Sequence, residues 1–122
     1  MNSVKKGVAI EHIVFGKLGL LDFDVYPALF PNNHGDAIIS KGNKKYKIEI
    51  KMLRCKNKNS NSKSLDLQPG GKHTYQYKDI DVSYIIGYDV DNNEIYMVPT
   101  NFFKKFNTTV QLNQIEKYKV II

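Results

Sequence analysis

The chain has 122 residues, of which 42% are hydrophobic and 25% charged, and its 18 Lys and Arg against 12 Asp and Glu give a net charge of +6. This length and composition indicate one folded domain over residues 1–122 and exclude a wholly disordered chain. No apolar run approaches the ~20 residues that span a bilayer, and the start has no signal-peptide core, so we expect a cytoplasmic protein with Cys55 reduced.

The first predicted element is a helix that begins with Ser3 as its N-cap and ends at about Leu21. Gly7, Gly16 and Gly19 weaken this helix in isolation, so packing against a sheet has to stabilise it. Apolar residues recur at helical spacing and form the packing face: Ile10, Ile13, Val14, Leu18 and Leu21.

A first strand is predicted from Phe23 to Phe30, where Pro27 and Pro31 are typical of a sheet edge or an early end. The segments Asp36–Lys41 and Lys45–Met52 then predict a hairpin whose turn lies between them. Alternation along the second arm puts two sets of side chains on opposite faces: Tyr46, Ile48, Ile50 and Met52 on one, and Lys45, Lys47, Glu49 and Lys51 on the other.

A second strand pair is predicted for Asp81–Tyr88 and Glu94–Val98, joined by a turn at Asp91–Asn93. The first of these arms is apolar on both faces and is expected to be buried. Asn101–Phe106 predicts a short helix, and Val110–Ile122 is an apolar tail of uncertain type. The order of elements predicts an α/β (α+β) domain with an N-terminal helix, a mixed sheet of about five strands and a small C-terminal element.

The positive charge is concentrated in one segment. Residues 41–63 contain nine Lys and Arg and one acid, a surplus of +8, which leaves −2 for the rest of the chain. Within it, Lys56–Ser64 is too poor in apolar side chains to pack, and we predict a flexible basic loop at about residues 54–72. One interpretation is a solvated loop, and the other is an arm that contacts DNA phosphates.

Four charged residues form the candidate catalytic group. Asp36 opens one arm of the hairpin, and Glu49 and Lys51 project from one face of the other arm, so strand pairing brings Asp36 beside Glu49. Two carboxylates on rigid backbone suit a divalent cation, and a neighbouring ammonium can orient the nucleophile and offset negative charge on phosphorus. Glu11, on the edge of the helix's apolar face, is placed to add a ligand or to serve a second metal.

These residues and their spacing resemble the PD-(D/E)XK nuclease superfamily. Gly35-Asp36 is followed after twelve residues by Glu49-Ile50-Lys51, with Glu11 on a preceding helix. Surrounding segments narrow the resemblance to the branch that contains group I intron homing endonucleases: Gly7 to His12, Phe23 to Pro27, Asp36 to Ile39, Tyr46 to Lys51 and Asp81 to Tyr88. Small archaeal Holliday-junction resolvases are similar in size and motif order, but less so after Lys51.

The resemblance implies a restriction-endonuclease-like core and a Mg²⁺-dependent DNA endonuclease, in which Mn²⁺ can substitute. It also implies that Asp36 and Glu49 are metal ligands, Ile50 adds its backbone carbonyl, Lys51 is catalytic, and Glu11 is an accessory acid and further metal ligand.

Two positions depart from the family pattern. Gly35 stands where the family commonly has proline. In addition, Met52-Leu53-Arg54 follows Lys51 without the usual Ser, Thr or Gln, and Gln76 is a candidate for that polar role.

The basic segment and the residues after it supply the expected DNA contacts: Lys41, Lys44, Lys45, Lys47, Arg54, Lys56, Lys58, Lys63, Lys72, Tyr75 and Gln76. Cutting both strands of a duplex requires two active sites, so we expect a homodimer or a higher oligomer. The tail at residues 120–122 suits either an interface or the core. The alternatives are a junction resolvase, an inactive DNA-binding module of the same fold, and a basic adaptor for a protein partner.

Overall fold

The computed structural model describes residues 2–28, 35–55, 63–66, 82–105 and 109–122. Its first element is the predicted helix, α1, at Ser3–Leu20. The N-cap is Asn2 and not Ser3, because the Asn2 side chain accepts a 2.8 Å hydrogen bond from the Lys5 N–H. Ile10, Val14 and Leu18 of the predicted apolar face are buried, whereas Ile13 is 42% exposed.

The described residues after α1 form nine strands in two sheets: β1 (Asp24–Pro27), β2 (Ala37–Lys41), β3 (Lys44–Met52), β4 (Arg54–Cys55), β5 (Lys63–Asp66), β6 (Tyr84–Asp89), β7 (Glu94–Pro99), β8 (Thr109–Gln111) and β9 (Lys119–Val120). The large sheet has the order β1-β2-β3-β6-β7-β9, and the small sheet has the order β4-β5-β8. Among the described pairings, β3 and β6 are parallel and the others are antiparallel, which confirms the predicted mixed sheet.

Both predicted hairpins are confirmed. β2 pairs with β3 across a turn in which Gly42 has a φ of +62°, and β6 pairs with β7 across a turn in which Asn93 has a φ of +53°. The first strand, β1, ends at Pro27, three residues earlier than predicted, and Phe30 and Pro31 lie outside the described residues.

The predicted flexible loop at residues 54–72 contains two short strands, β4 and β5, and in these parts the prediction of a loop was wrong. Leu65 of β5 is 1% exposed and pairs with Val110 of β8, a residue from the C-terminal part of the chain. The short helix after β7 is a 3₁₀ helix at Thr100–Lys105. The C-terminal tail divides into β8, a one-turn helix α2 at Leu112–Ile115, a 3₁₀ turn and β9.

The large sheet carries a hydrophobic cluster on each face. On one face α1 packs against residues of β2, β3, β6 and β7, and the buried members are Ile10, Val14, Leu18, Ala37, Ile39, Ile48, Ile50, Ile86, Tyr88 and Ile95. The other face is covered by the small sheet and C-terminal elements, with buried members Leu53, Leu65, Val82, Ile85, Tyr96, Val98, Phe103, Val110 and Ile115. The central strand β6 is therefore buried on both faces, as predicted.

An ion pair joins the two sheets. Asp89, at the end of β6, is fully buried and accepts a hydrogen bond from the Lys63 ammonium of β5, which also lies 2.9 Å from Asp91. The Asp91 N–H and the Asn92 side-chain amide donate to the same carboxylate at 3.2 and 2.9 Å. Burial is the largest single influence and raises the pKa of Asp89, but the hydrogen bonds from Lys63 and Asn92 and the charge of Lys63 together outweigh it, so the pKa is lowered.

The described part of the chain has no helix with the length and apolar character that a membrane crossing requires.

We predict that Lys63→Met lowers the free energy of unfolding by about 2 kcal/mol at pH 7, because it removes the cation that compensates a buried carboxylate. The lowered pKa of Asp89 places this stabilisation at pH values above its ordinary 3.8, so the difference should shrink as the pH falls below about 4. Urea unfolding at several pH values measures both effects. Lys44→Met, at an exposed position on β3, is the control, and equal losses for the two variants would contradict the prediction.

Candidate active site

The candidate site lies where strands β2 and β3 separate. β2 begins at Ala37, which pairs with Ile48 of β3. Beyond this pair β3 continues to Met52, and in the described pairings its partner there is β6. Asp36 stands at this opening: its N–H donates to the Ile48 carbonyl at 2.7 Å, and its carboxylate accepts a 2.7 Å hydrogen bond from the Ile50 N–H. The carboxylate therefore occupies the place at which a continued β2 would have paired with Ile50.

The same geometry brings a backbone oxygen to this edge. In a strand, the N–H and C=O of one residue project to the same side. The Ile50 N–H points to Asp36, so the Ile50 carbonyl projects to the side of β3 on which Asp36 lies. Two of the groups expected from the sequence to be metal ligands, the Asp36 carboxylate and the Ile50 carbonyl, thus lie on the same edge of β3.

Gly35 allows the backbone conformation that leads into Asp36. Its φ is +102°, and a Cβ at this position would lie 2.5 Å from the Ile48 carbonyl oxygen and 2.9 Å from the Val82 side chain. Proline holds φ near −65° and cannot adopt this conformation. In this backbone, glycine is therefore required next to Asp36, and the family's usual proline would not fit.

Glu49 and Lys51 project from one face of β3, opposite Ile85 and Gly87 of β6. Burial is the main cause that raises the pKa of Glu49 to about 8, and the neighbouring charges of Asp36 and Glu11 raise it further, whereas Lys51 lowers it. A charged Glu49 is therefore unfavourable in this surrounding unless a cation compensates it.

Asp36 and Glu11 share this electrostatic environment. Burial raises the pKa of Asp36, while the Ile50 hydrogen bond and Lys51 act in the opposite direction. Burial also raises the pKa of Glu11, with Asp36 as the second cause and His12 opposing it. The structure thus brings Glu11, Asp36, Glu49 and Lys51 into one interacting group. In the described ranges, however, no three His, Cys, Asp or Glu side chains are arranged to hold one metal ion together.

A cleft of about 180 Å³ opens between α1 and the end of β3. Glu11, Lys51 and the backbone segment at Ile50 line it, together with Lys6, Gly7, Ile10, Met52 and Arg54. Sequence analysis did not identify Lys6. Its position four residues before Ile10 was the available signal, because this spacing puts the two residues on one helix face.

The lysines of β3 lead toward the candidate site. Lys45 and Lys47 project from the same face as Glu49 and Lys51, in steps of two residues. Lys44 is exposed in the turn region. Lys41 lies on β2 with its ammonium 4.5 Å from the centre of the Phe23 ring.

Other predicted DNA contacts are placed differently. Arg54 lines the cleft, whereas Lys63 is held in the ion pairs with Asp89 and Asp91 and has a structural role there. Five predicted contacts lie outside the described residues: Lys56, Lys58, Lys72, Tyr75 and Gln76.

Neither residue directly after Lys51 supplies the polar group that family members usually have. Met52 packs against the cluster around α1, and Leu53 is buried in the cluster on the opposite face of the sheet. Gln76, the candidate for this role, is one of the residues that the structure does not describe.

Comparisons with known proteins agree with this geometry. A family model described as PD-(D/E)XK endonuclease matches residues 1–120. Among solved structures, a bacterial homing endonuclease, I-Ssp6803I, is similar with a TM-score of 0.75 and 14% sequence identity, over 92% of this chain and 78% of that chain. At this level of identity the likeness shows the fold. No curated protein matches the sequence.

We predict that Glu49→Gln stabilises the protein in the presence of a chelator. The pKa of Glu49 is about 8 in the folded state against an ordinary value of 4.5, so ionisation of Glu49 destabilises the fold as the pH rises from 4.5 to 8. The variant should be more stable than the wild type by on the order of 1–3 kcal/mol at pH 8, and the difference should disappear near pH 4.

Thermal or urea unfolding across this pH range measures the effect. Asp24→Asn, which changes an exposed carboxylate on β1, is the matched control and should show no such pH-dependent gain. A Glu49→Gln stability profile parallel to that of the wild type at all pH values would contradict the prediction.

Proposed function

The chain belongs to the PD-(D/E)XK endonuclease family, and from this we propose that it is a Mg²⁺-dependent DNA endonuclease. In this proposal Asp36, Glu49 and Lys51 form the active site that hydrolyses phosphodiester bonds. One observation supports this proposal above all others: the Ile50 N–H holds the Asp36 carboxylate at the opening between β2 and β3, beside the half-buried Glu49 and Lys51. A catalytically idle face would have no physical reason to concentrate carboxylates whose charges raise one another's pKa.

The described residues fit a hard divalent cation. Asp36 and Glu49 offer carboxylate oxygens, Ile50 offers a carbonyl oxygen, and Mg²⁺ prefers such ligands with its other positions left to water and phosphate. A cation would also offset the burial that raises the pKa of both acids and the charge of Asp36 that raises the pKa of Glu49 further. When bound there, Mg²⁺, or Mn²⁺ in its place, would supply Lewis acidity toward the phosphate and lower the pKa of a coordinated water.

Lys51 and Glu11 have separate roles in this proposal. Lys51 lowers the pKa of both Asp36 and Glu49, and this electrostatic coupling supports a role for its ammonium in orienting the attacking water and offsetting negative charge that develops on phosphorus. Glu11 lines the cleft from α1 and acts as an accessory acid. Because the three carboxylates are not arranged as one ligand group in the described residues, the direct cation ligands proposed are Asp36, Glu49 and Ile50.

The substrate is proposed to be double-stranded DNA. Lys45 and Lys47 continue the line of Glu49 and Lys51 along β3, and this row of ammonium groups would bind backbone phosphates on the way to the site. The similar fold of a bacterial homing endonuclease favours a long recognition site in a linear duplex over the branched DNA that a junction resolvase cuts.

We predict that Glu49→Ala and Lys51→Ala each reduce DNA cleavage at least about 100-fold while binding is retained, because these groups act on the reacting phosphate. The substrate is identified first, by incubating a plasmid library with wild-type protein and Mg²⁺ and sequencing the linear molecules. Cleavage by the wild type should stop when EDTA is added. Asp24→Ala is the control for a lost carboxylate and Lys45→Ala for a lost lysine; the latter should weaken binding more than the cleavage rate.

Wild-type rates of cleavage in both active-site variants would contradict the assignment. DNA binding by the wild type without cleavage under any divalent metal would favour an inactive DNA-binding module. Faster cutting of a synthetic four-way junction than of linear duplexes would favour the resolvase alternative.

We further predict that the protein acts as a homodimer or higher oligomer, because one site cuts one strand. Sedimentation velocity should give a mass of at least twice 14.0 kDa. After subunit exchange with excess Lys51→Ala protein, the wild type should yield nicked plasmid in place of linear plasmid. A monomer that makes linear plasmid in a single binding event would overturn this prediction.

The tail that suits either an interface or the core is divided in the structure. Val120 pairs with Ile95 in the sheet, whereas Ile121 and Ile122 are 85% and 57% exposed.

A further inference from the structure

We propose that Lys6 of α1 and Arg54 of β4 together bind the DNA backbone phosphate that neighbours the scissile phosphate. We call these two residues the cation pair. This inference rests on the proposed function, since it names where the substrate strand lies relative to the proposed active site. The ligand is a phosphodiester group of a DNA strand.

The position of the cation pair follows from two adjoining clefts. Lys6 and Arg54 line the cleft that contains Glu11 and Lys51. They also line a wider cleft of about 560 Å³ that extends to Cys55 and the end of β6. The cation pair therefore lies where the clefts meet, so a strand with one phosphate at Lys51 presents a neighbouring phosphate to Lys6 and Arg54.

Both side chains come from rigid backbone. Lys6 is in the second turn of α1, where its N–H donates to the Asn2 carbonyl at 3.1 Å. Arg54 pairs with Ser64 in the small sheet and directly follows the buried Leu53. Because their backbones are held, the two side chains need to order only their own rotamers when a phosphate binds.

Within the described part of the protein, the charged groups of the cation pair do not interact with other side chains. There, neither the Lys6 ammonium nor the Arg54 guanidinium has a hydrogen bond, ion pair or ring contact. The counter-charge to Asp36 and Glu49 is Lys51, and neither member of the pair contributes to the pKa of these acids.

The acids of the wider cleft are paired with Lys63 and not with the cation pair. Asp89 and Asp91 line that cleft, and both form ion pairs with Lys63. These three groups together carry a net charge of −1, against +2 for Lys6 and Arg54, so the cleft as a whole stays positive.

The two residue types suit a phosphodiester. Arginine presents a planar fork that can donate two hydrogen bonds to phosphate oxygens, and lysine adds a compact charge from another direction. Each neutralised phosphate also releases counterions, so the affinity that the cation pair adds should weaken with salt.

The chain contains a matched control for Lys6. Lys5 precedes it on the same helix, is exposed, and lines neither cleft, because successive residues of a helix point about 100° apart. Lys6→Ala and Lys5→Ala change the net charge equally. We expect Lys6→Ala and Arg54→Ala each to weaken duplex binding in Ca²⁺ about 10-fold and to lower the salt slope by about 1, with Lys5→Ala near wild type. Arg54→Lys should recover part of the loss.

A second experiment tests the position of the phosphate. Once the cut site is mapped with the wild type, duplexes are made with one neutral methylphosphonate at each phosphate around it. Neutralising the phosphate next to the scissile one should weaken wild-type binding about as much as the double variant Lys6→Ala/Arg54→Ala does. In the double variant the same neutralisation should have no further effect, and the thermal unfolding of all variants should match that of the wild type.

The outcomes separate this inference from the proposed function. If the wild type cuts DNA but the Lys6→Ala and Lys5→Ala variants bind equally well, the cation pair is wrong and the endonuclease assignment stands. If the double variant remains fully sensitive to the neighbouring methylphosphonate, the pair binds elsewhere on the DNA and the inference fails. A wild type that neither binds nor cuts any DNA overturns both.

Discussion

The position of the candidate site depends on one hydrogen bond, from the Ile50 N–H to the Asp36 carboxylate. An antiparallel partner that continued along β3 would close the site with backbone. Here the pairing of β2 with β3 ends at Ala37, and the Asp36 carboxylate accepts the hydrogen bond from the Ile50 N–H of β3 instead. The result is an edge inside a six-stranded sheet at which acidic and carbonyl oxygens meet on backbone held from the other side by β6. A mobile loop could offer the same groups but not the same fixed positions.

This arrangement is stable only because the rest of the fold supports unfavourable charges. Burial raises the pKa values of Glu11, Asp36 and Glu49, and the charge of Asp36 raises those of Glu11 and Glu49 further. Lys51 opposes these effects at Asp36 and Glu49, and His12 opposes them at Glu11. The surrounding hydrophobic clusters on both faces of the sheet provide the stability that the site lacks. Active sites commonly contain interactions that destabilise the fold locally and that are offset by stability in the rest of the protein.

Local patterns were sufficient to predict the elements that carry the site. The alternation in β3 predicted that Glu49 and Lys51 share a face, and the hairpin predicted that Asp36 lies beside them, because both signals depend on neighbours in the sequence. The pairing of β5 with β8 joins residues more than 40 positions apart, and Leu65 and Leu67, which follow a polar stretch, are too few to give a clear periodic signal. Burial of Asp89 with Lys63 likewise depends on tertiary contacts. Lys63 therefore resembled a DNA-binding lysine in sequence but has a structural role in the fold.

The parallel pairing of β3 with β6 has a consequence for evolution and engineering. Parallel neighbours need a crossover, and this chain uses residues 53–83 for it, including β4 and β5. Within this crossover, β4 and β5 carry paired and buried residues, among them Lys63 and Leu65. Lengthening the connection between these two strands should cost little, because each doubling of a connecting segment adds only about 0.6 kcal/mol of closure entropy. We therefore expect insertions between β4 and β5 to be tolerated more readily than changes within either strand. Recognition could then diversify there while the proposed active site stays unchanged.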